Sequence, residues 1–395
     1  MDSYKLASTS WGSEEQSVIL DVVQSGKLTM GSQVSKFESE FASYFGSRHG
    51  VMVNSGSSAN LLAIASLTLK KHNPLKQGME IIVPTVSWAT TYYPVHQYGL
   101  TLRFVDVTSH DLNIDIELIK KAINPNTGAI FAVNLLGQPC NLPAIKKIAI
   151  ENNLYFIEDN CESMGAIIED KSTGTWGDLG TFSFYFSHHI NTIEGGMILT
   201  DDDELRDILI SIRAHGWTRG LESNNHVFNK SGSEWDDLFR FVLPGFNVRP
   251  MEIQGALGRI QLSKFEEFLK IRQMNHNHFI DKFSGLQNAT IQMGLGKSSS
   301  FGFAIIIDGE CGISRSNVIG ELNKSNIESR PIVAGNFLKN PVIKKMEVIS
   351  SLQNPVADRI HDYGFFLGNH HFDIRKNIDH AFEVISKSMK LRLQM

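Results

Sequence analysis

The chain has 395 residues, 42% apolar and 20% charged, with a formal net charge of −5, a length that supports two domains with separate cores. The acidic balance, with no basic run, argues against general affinity for nucleic acid or an anionic membrane. The start MDSYKLASTSWGSEE lacks an apolar signal core, and no run approaches a membrane span. Cys140, Cys161 and Cys311 form neither a zinc nor a disulfide spacing, so a cytoplasmic, metal-free protein with packing cysteines is expected.

In chain order, Ser13 and Gln16 read as a capping box for a helix with an apolar face of Val18, Ile19, Val22 and Val23, stopped by Gly26. Val34, Phe37, Phe41 and Phe45 recur at helical spacing ahead of Gly46. VMVNSGSSANLLAIASLTLKK then gives a short strand, a small-residue turn and a helix apolar nearly all round, hence buried. IIVPTVSW, LRFVDV, AIFAVNLLG, LYFIEDN, TFSFYF and GMILTDD read as strands, several of them continuously apolar, as central strands covered on both faces are. They alternate with helix-length segments, and a helix from Asp203 to His215 follows them. The pattern is an α/β sandwich around a mostly parallel sheet. Residues 221–237 are polar and read as a long surface loop. A long helix runs from Met251 to about Phe283. After it come a strand (FGFAIIID), a helix near Ser316–Leu322, a short strand into Arg330-Pro331 and a helix around Ile378–Ile385. The expected division is a large domain over 1–250 and a smaller α+β domain over 251–395.

Four features carry chemistry. Asn54 to Asn60 is a small-residue turn opening a buried helix, where free amides and the helix dipole favour a phosphate around Gly56 and Ser57, although ordinary strand-to-helix turns look alike. Trp88 ends a strand and can stack on a planar ring or simply pack in a core. Asp159 closes LYFI at the carboxyl edge of a parallel strand, where it can face a cationic ring nitrogen or cap the next helix. Finally, TFSFYFSHHI delivers Ser183, His188 and His189 ahead of the pair Gly195-Gly196. Adjacent histidines of an extended segment point to opposite sides and make poor ligands for one metal.

In this order the features resemble the DegT/StrS sugar aminotransferases of the aspartate aminotransferase superfamily, and GKLTMGSQVSKFE and GFNVRP fit the same family. The likeness covers nearly the whole chain. It implies a fold type I pyridoxal-phosphate transferase, with a large domain around a mostly parallel sheet and a smaller C-terminal domain. By resemblance, Gly56, Ser57 and Ser183 hold the cofactor phosphate, Trp88 stacks on the ring, Asp159 pairs with the pyridine nitrogen and Glu162 lies beside it. Asn247 would reach the neighbouring subunit's site, implying a homodimer with shared active sites; His215 and Arg219 are candidates for substrate binding. A sugar nucleotide (GDP-linked by resemblance) and L-glutamate are the implied partners.

Family members carry their Schiff-base lysine where this chain has His188, and the segment from Thr181 to Met197 holds no lysine. A lysine amine condenses with the cofactor aldehyde, whereas imidazole cannot hold it covalently yet still moves protons near neutral pH. Pyridoxal or pyridoxamine phosphate is therefore expected to bind non-covalently. His188 is expected to serve as the sole acid and base in removing the C3 hydroxyl of a 4-keto-6-deoxy sugar nucleotide, with ammonia released. A C4 aminotransferase and a cofactor-binding non-enzyme are the alternative readings.

Overall fold

The computed structural model describes residues 3–309, 312–351 and 353–390. Helices α1 (Ser13–Ser25) and α2 (Ser32–Phe45) lead through β1 (His49–Val53) into α3 (Gly56–Thr68). Strands and helices then alternate through β2 (Glu80–Pro84), α4 (Ala89–Gln97), β3 (Thr101–Val105), α5 (Ile116–Ala122), β4 (Thr127–Val133), α6 (Leu142–Glu151) and β5 (Tyr155–Asp159). A hairpin of β6 (Ile167–Ile168) and β7 (Lys171–Ser172) precedes β8 (Leu179–Ser183), β9 (Gly196–Thr200) and α7 (Asp203–Arg213). Beyond the one-turn α8 (Glu234–Asp237) runs the long α9 (Glu252–Phe283). The C-terminal part comprises β10 (Ala289–Ile291), β11 (Gly302–Ile307), α10 (Arg315–Lys324), β12 (Val348–Ser350), α11 (Pro355–Tyr363), β13 (Gly364–Gly368) and α12 (Arg375–Lys390).

Eight strands form one sheet in the order β1-β9-β8-β5-β4-β2-β3-β12. From β8 to β12 every pairing is parallel, while β9 runs antiparallel to both β8 and β1. The α/β architecture with a mostly parallel central sheet is thus the expected one. Parallel neighbours need crossovers, which α4, α5 and α6 supply, and strands covered on both faces are apolar throughout. Accordingly β2, β4 and β8 are buried along their full length. The all-round apolar α3 is buried through Leu62, Ala63, Ile64 and Leu67 and packs on β8, β9 and α7. Its start and the carboxyl ends of β4, β5 and β8 meet along one edge, the position where open α/β sheets bind ligands.

A second core lies under the antiparallel sheet β10-β11-β13, where Phe279, Phe283, Phe303, Leu367 and Ile378 pack together with Tyr4 from the N-terminus. β12 turns away from that sheet and pairs with β3 at the edge of the large one.

Several local expectations need correction. Gly12 caps α1, its amide 2.8 Å from the Glu15 carboxylate; Ser13 is already helical, so the Ser13–Gln16 box does not form. Val22 is buried but Val23 is 52% exposed, because α1 lies on the surface of α9 and touches it along a narrow stripe. The helix expected to reach His215 ends at Arg213, and His215 adopts φ +65°. The strand before Arg330-Pro331 is reduced to the single bridge of Arg330 with Phe366, since Pro331 has no N–H to extend a ladder. β8 stops at Ser183, so His188 sits in a turn, its amide donating to Tyr185 O at 2.8 Å, and not in an extended strand. Cys140 is buried and Cys161 partly so, while Cys311 lies outside the described residues.

Candidate active site

At the edge where the strand ends converge, Ser55 caps α3 by accepting from Ser58 N at 3.1 Å. The first amides of a helix have no intrahelical acceptor and carry the positive end of its dipole, so Gly56 and Ser57 present donors to an anion. Glycine is required at 56: a Cβ there would lie 2.5 Å from Ser183 Cβ, at the end of β8. Gly196 likewise lets β9 pass against the Ser55 carbonyl, where no side chain fits. The glycines thus bring the Ser183 hydroxyl to the start of α3.

Asp159 ends β5 and is 6% exposed. One carboxylate oxygen accepts from Asn60 Nδ2 and Thr91 Oγ1, both at 2.8 Å, and the other from the Cys161 amide at 3.2 Å. Thr181 in turn donates to Asn60 Oδ1 at 2.6 Å and fixes that amide. Every one of these donors is neutral, and a turn, not a helix, follows Asp159, so capping does not account for it. A buried carboxylate solvated only by neutral donors calls for a cation.

Glu162 accepts from Leu136 N at 3.1 Å, and burial, with a smaller push from Asp159, raises its carboxyl to about 7. His188 is pushed down to about 4, chiefly by burial; backbone groups of Ser183 and Cys161 favour its charged form and the charge of Arg272 opposes it. Its Nδ1 is buried without a hydrogen-bond partner, and its ring stands edge-on to Phe301 at 5.2 Å and Tyr185 at 5.9 Å. A neutral imidazole lining the cavity can take up a proton and return it. Trp88 caps α4 and is 59% exposed, which sets it on the rim instead of in a core.

A cavity of about 490 Å³ brings Gly56, Ser57, Trp88, Asp159, Glu162, Ser183 and His188 together, and among the described residues no lysine lines it. His215, Arg219 and Asn247 lie elsewhere. Asn247 accepts from Arg249 Nε at 3.0 Å, Arg249 reaches His215 Nε2 at 3.5 Å, and Arg219 is exposed on the adjoining turn. Asn60 and Thr91 were not singled out from the sequence, although Asn60 is four residues from Gly56 and shares its helix face, and Thr91 is one turn beyond Trp88. Val333, another lining residue, comes from the C-terminal part with no local signal.

An anion cradle, an unneutralised buried carboxylate, a flat aromatic rim and a neutral imidazole together fit a planar phosphate ester with a cationic ring nitrogen. Pyridoxal or pyridoxamine phosphate is such a group. The DegT/DnrJ/EryC1/StrS aminotransferase family model matches residues 9–384. The chain belongs to this family. Among its members, a GDP-4-keto-6-deoxy-D-mannose 3-dehydratase of Yersinia pseudotuberculosis is 47% identical over 389 residues, 98% of this chain and 99% of that protein. A crystal structure of GDP-4-keto-6-deoxymannose-3-dehydratase with a trapped PLP-glutamate geminal diamine superposes with a TM-score of 0.95 at 48% identity, covering 97% of this chain and all of that one. The H188N mutant of such a dehydratase, with bound GDP-perosamine, matches equally well, with a TM-score of 0.95, 48% identity and the same coverage.

Proposed function

We propose that this chain is a GDP-4-keto-6-deoxy-D-mannose 3-dehydratase, working with pyridoxal or pyridoxamine phosphate and L-glutamate. The observation that carries this reading is His188, standing with Asp159 and the phosphate turn in a cavity that no lysine among the described residues lines. Gly56, Ser57 and Ser183 would hold the phosphate, Trp88 would cover the ring, Asp159 would keep the ring nitrogen protonated, and Glu162 would lie beside it. When bound, the cofactor supplies an electron sink and carries the amino group that glutamate donates.

His188 does the proton work. Burial keeps it neutral, so its imidazole takes up a proton and returns it as the C3 hydroxyl departs as water. Imidazole forms no lasting bond to a carbonyl carbon, so His188 cannot displace the loaded nitrogen as a lysine would. That nitrogen leaves with the sugar and is released as ammonia on hydrolysis. The sum is GDP-4-keto-6-deoxy-D-mannose plus glutamate giving GDP-4-keto-3,6-dideoxymannose, 2-oxoglutarate and ammonia.

A homodimer with shared sites belongs to the same proposal. Phe239 at 67% exposure and Phe241 at 55% flank Trp217 and lie open on the segment that carries Arg219 and Asn247, which supports a second copy there. Asn247 would then serve the neighbouring site, with His215 and Arg219 near the substrate. The division at residue 250 is also proposed; the separate core under β10-β11-β13 supports it, while β12 returns to the large sheet.

The test is product analysis with GDP-4-keto-6-deoxy-D-mannose, glutamate and cofactor. Equal amounts of 2-oxoglutarate and ammonia, with a sugar lacking oxygen at C3, are expected. A stable amino sugar nucleotide would show an aminotransferase instead, and no turnover of glutamate a binding protein.

A further inference from the structure

Helix α9 carries a cation that is buried without a carboxylate beside it among the described residues. Arg272 is 5% exposed, and its Nη1 donates to two backbone carbonyls, Ser300 O at 3.4 Å and Asn369 O at 3.1 Å. Its Nε is buried with no hydrogen-bond partner, and burial alone lowers the guanidinium to about 10. A charge taken out of water and left unpaired is costly, so packing does not account for it.

The carbonyl of Ser300 belongs to a strap, residues 298–301, that runs into β11. Ser300 adopts φ +46°, a left-handed conformation that serine keeps only when its surroundings impose it. Its amide donates to Ser298 Oγ at 2.9 Å, and its carbonyl accepts from Asn369 Nδ2 at 3.1 Å as well as from Arg272. Asn369 Nδ2 also donates to Arg272 O at 2.9 Å, which ties the strap to the helix.

The residue after this turn is Phe301. Its amide donates to Leu136 O at 3.1 Å, on the turn whose Leu136 amide holds Glu162. Its ring stands edge-on to His188 at 5.2 Å and tilted against His189 at 6.0 Å, while Ser299 O meets His189 Nε2 at 3.1 Å. His188 Nδ1 has no hydrogen-bond partner, so packing between Phe301 and the more exposed Tyr185 limits the swing of the imidazole. The charge of Arg272 works in the same direction. It disfavours the protonated forms of His188, His189, His370 and His371.

We propose that Arg272 is a positioning residue for the dehydration: by holding Ser300 it sets Phe301 against His188 and fixes the orientation in which the imidazole meets the reacting groups. The proposal rests on His188 as the proton carrier; normal turnover in His188→Asn would remove that reading first. The test uses the cofactor-loaded enzyme with Arg272→Met, Arg272→Lys, Phe301→Leu and the double variant of Arg272→Met with Phe301→Leu. In Arg272→Met, kcat per bound cofactor should fall about tenfold, with KM for the sugar nucleotide changed by less than about twofold. Arg272→Lys keeps a cationic donor and should recover most of the loss. Phe301→Leu should lose as much as Arg272→Met, and the double variant no more than either, because both break one route. A merely structural clamp would lower the melting temperature of Arg272→Met and leave kcat per bound cofactor unchanged, which overturns the proposal. Additive losses also overturn it, since Arg272 and Phe301 would then act separately. If Arg272→Met does not fold, Ser300→Gly, which loosens the same turn and leaves the cation in place, takes its part with the same expectations, and an unchanged kcat there overturns the proposal.

Discussion

The ends of β5 and β8 with the start of α3, and the segment from Ala214 to Pro250, differ in how their functional residues are held. In the first, each polar group is fixed by regular structure. Asp159 is clamped by Asn60 and Thr91, Asn60 by Thr181, and Ser183 by the close approach that Gly56 permits. In the second, His215, Arg249 and Asn247 touch one another around turns, Arg219 is exposed, and Phe239 and Phe241 lie open to solvent. One region is a finished binding surface within a single chain. The other has unburied aromatic side chains and candidate residues that lie outside that binding cavity.

Substitutions can break that contrast, and His188→Asn should have the largest effect. Loss of a general acid and base costs roughly 10²–10⁴ in turnover, with cofactor retained. Near-normal 2-oxoglutarate and ammonia release from this variant would mean that another group carries the proton. Asp159→Asn should weaken cofactor retention by roughly 2–5 kcal/mol, the cost of removing one member of a buried charge pair, read from bound-cofactor absorbance after dialysis.

Acid stability comes next. His188, His276 and His370 are each held near 4 in the folded chain, mainly by burial. Below the unfolded value of about 6.5 the unfolded chain takes up these protons first, so the stability they confer is whole above 6.5 and is lost as pH falls toward 4. Each contributes roughly 3 kcal/mol of loss near the lower end of that window. Glu162, raised to about 7, acts in the opposite sense between 4.5 and 7, because there the folded chain holds the proton. Three groups outweigh one, so melting temperatures should fall on acidification through this range; a flat profile from 6.5 down to 4 would show these histidines to be solvated.

Arg219→Ala should have the smallest effect, raising KM for the sugar nucleotide by no more than about tenfold while leaving cofactor binding intact. If it released cofactor as readily as Asp159→Asn does, the contrast between the two regions would fail.

The same contrast explains what was legible in the sequence. Val34, Phe37, Phe41 and Phe45 gave a helix because their spacing alone defines a buried face, and all four are buried. Gly56, Asp159 and Ser183 could be grouped because topology places successive parallel strand ends on one edge, so order along the chain becomes proximity in space. Asn60 and Thr91 share helix faces with residues already singled out, and periodicity could have found them. Val333 reaches the cavity from far along the chain, through packing between the two cores, which no local pattern encodes. The strand GFFLG follows α11 directly, with no connecting loop, and is recognisable mainly by its pairing with β11. The cap of α1 was misplaced by one residue because glycine, which has no side chain to cap with, occupies the capping position and Glu15 satisfies its amide.

The most direct test of the central claim is reduction of the cofactor-loaded enzyme with borohydride, followed by peptide mass mapping. With His188 in a cavity that no lysine among the described residues lines, no peptide should gain the mass of the reduced cofactor. A lysine bearing that mass would contradict the account, since the cofactor would then be covalently anchored and His188 would not stand in the lysine's place.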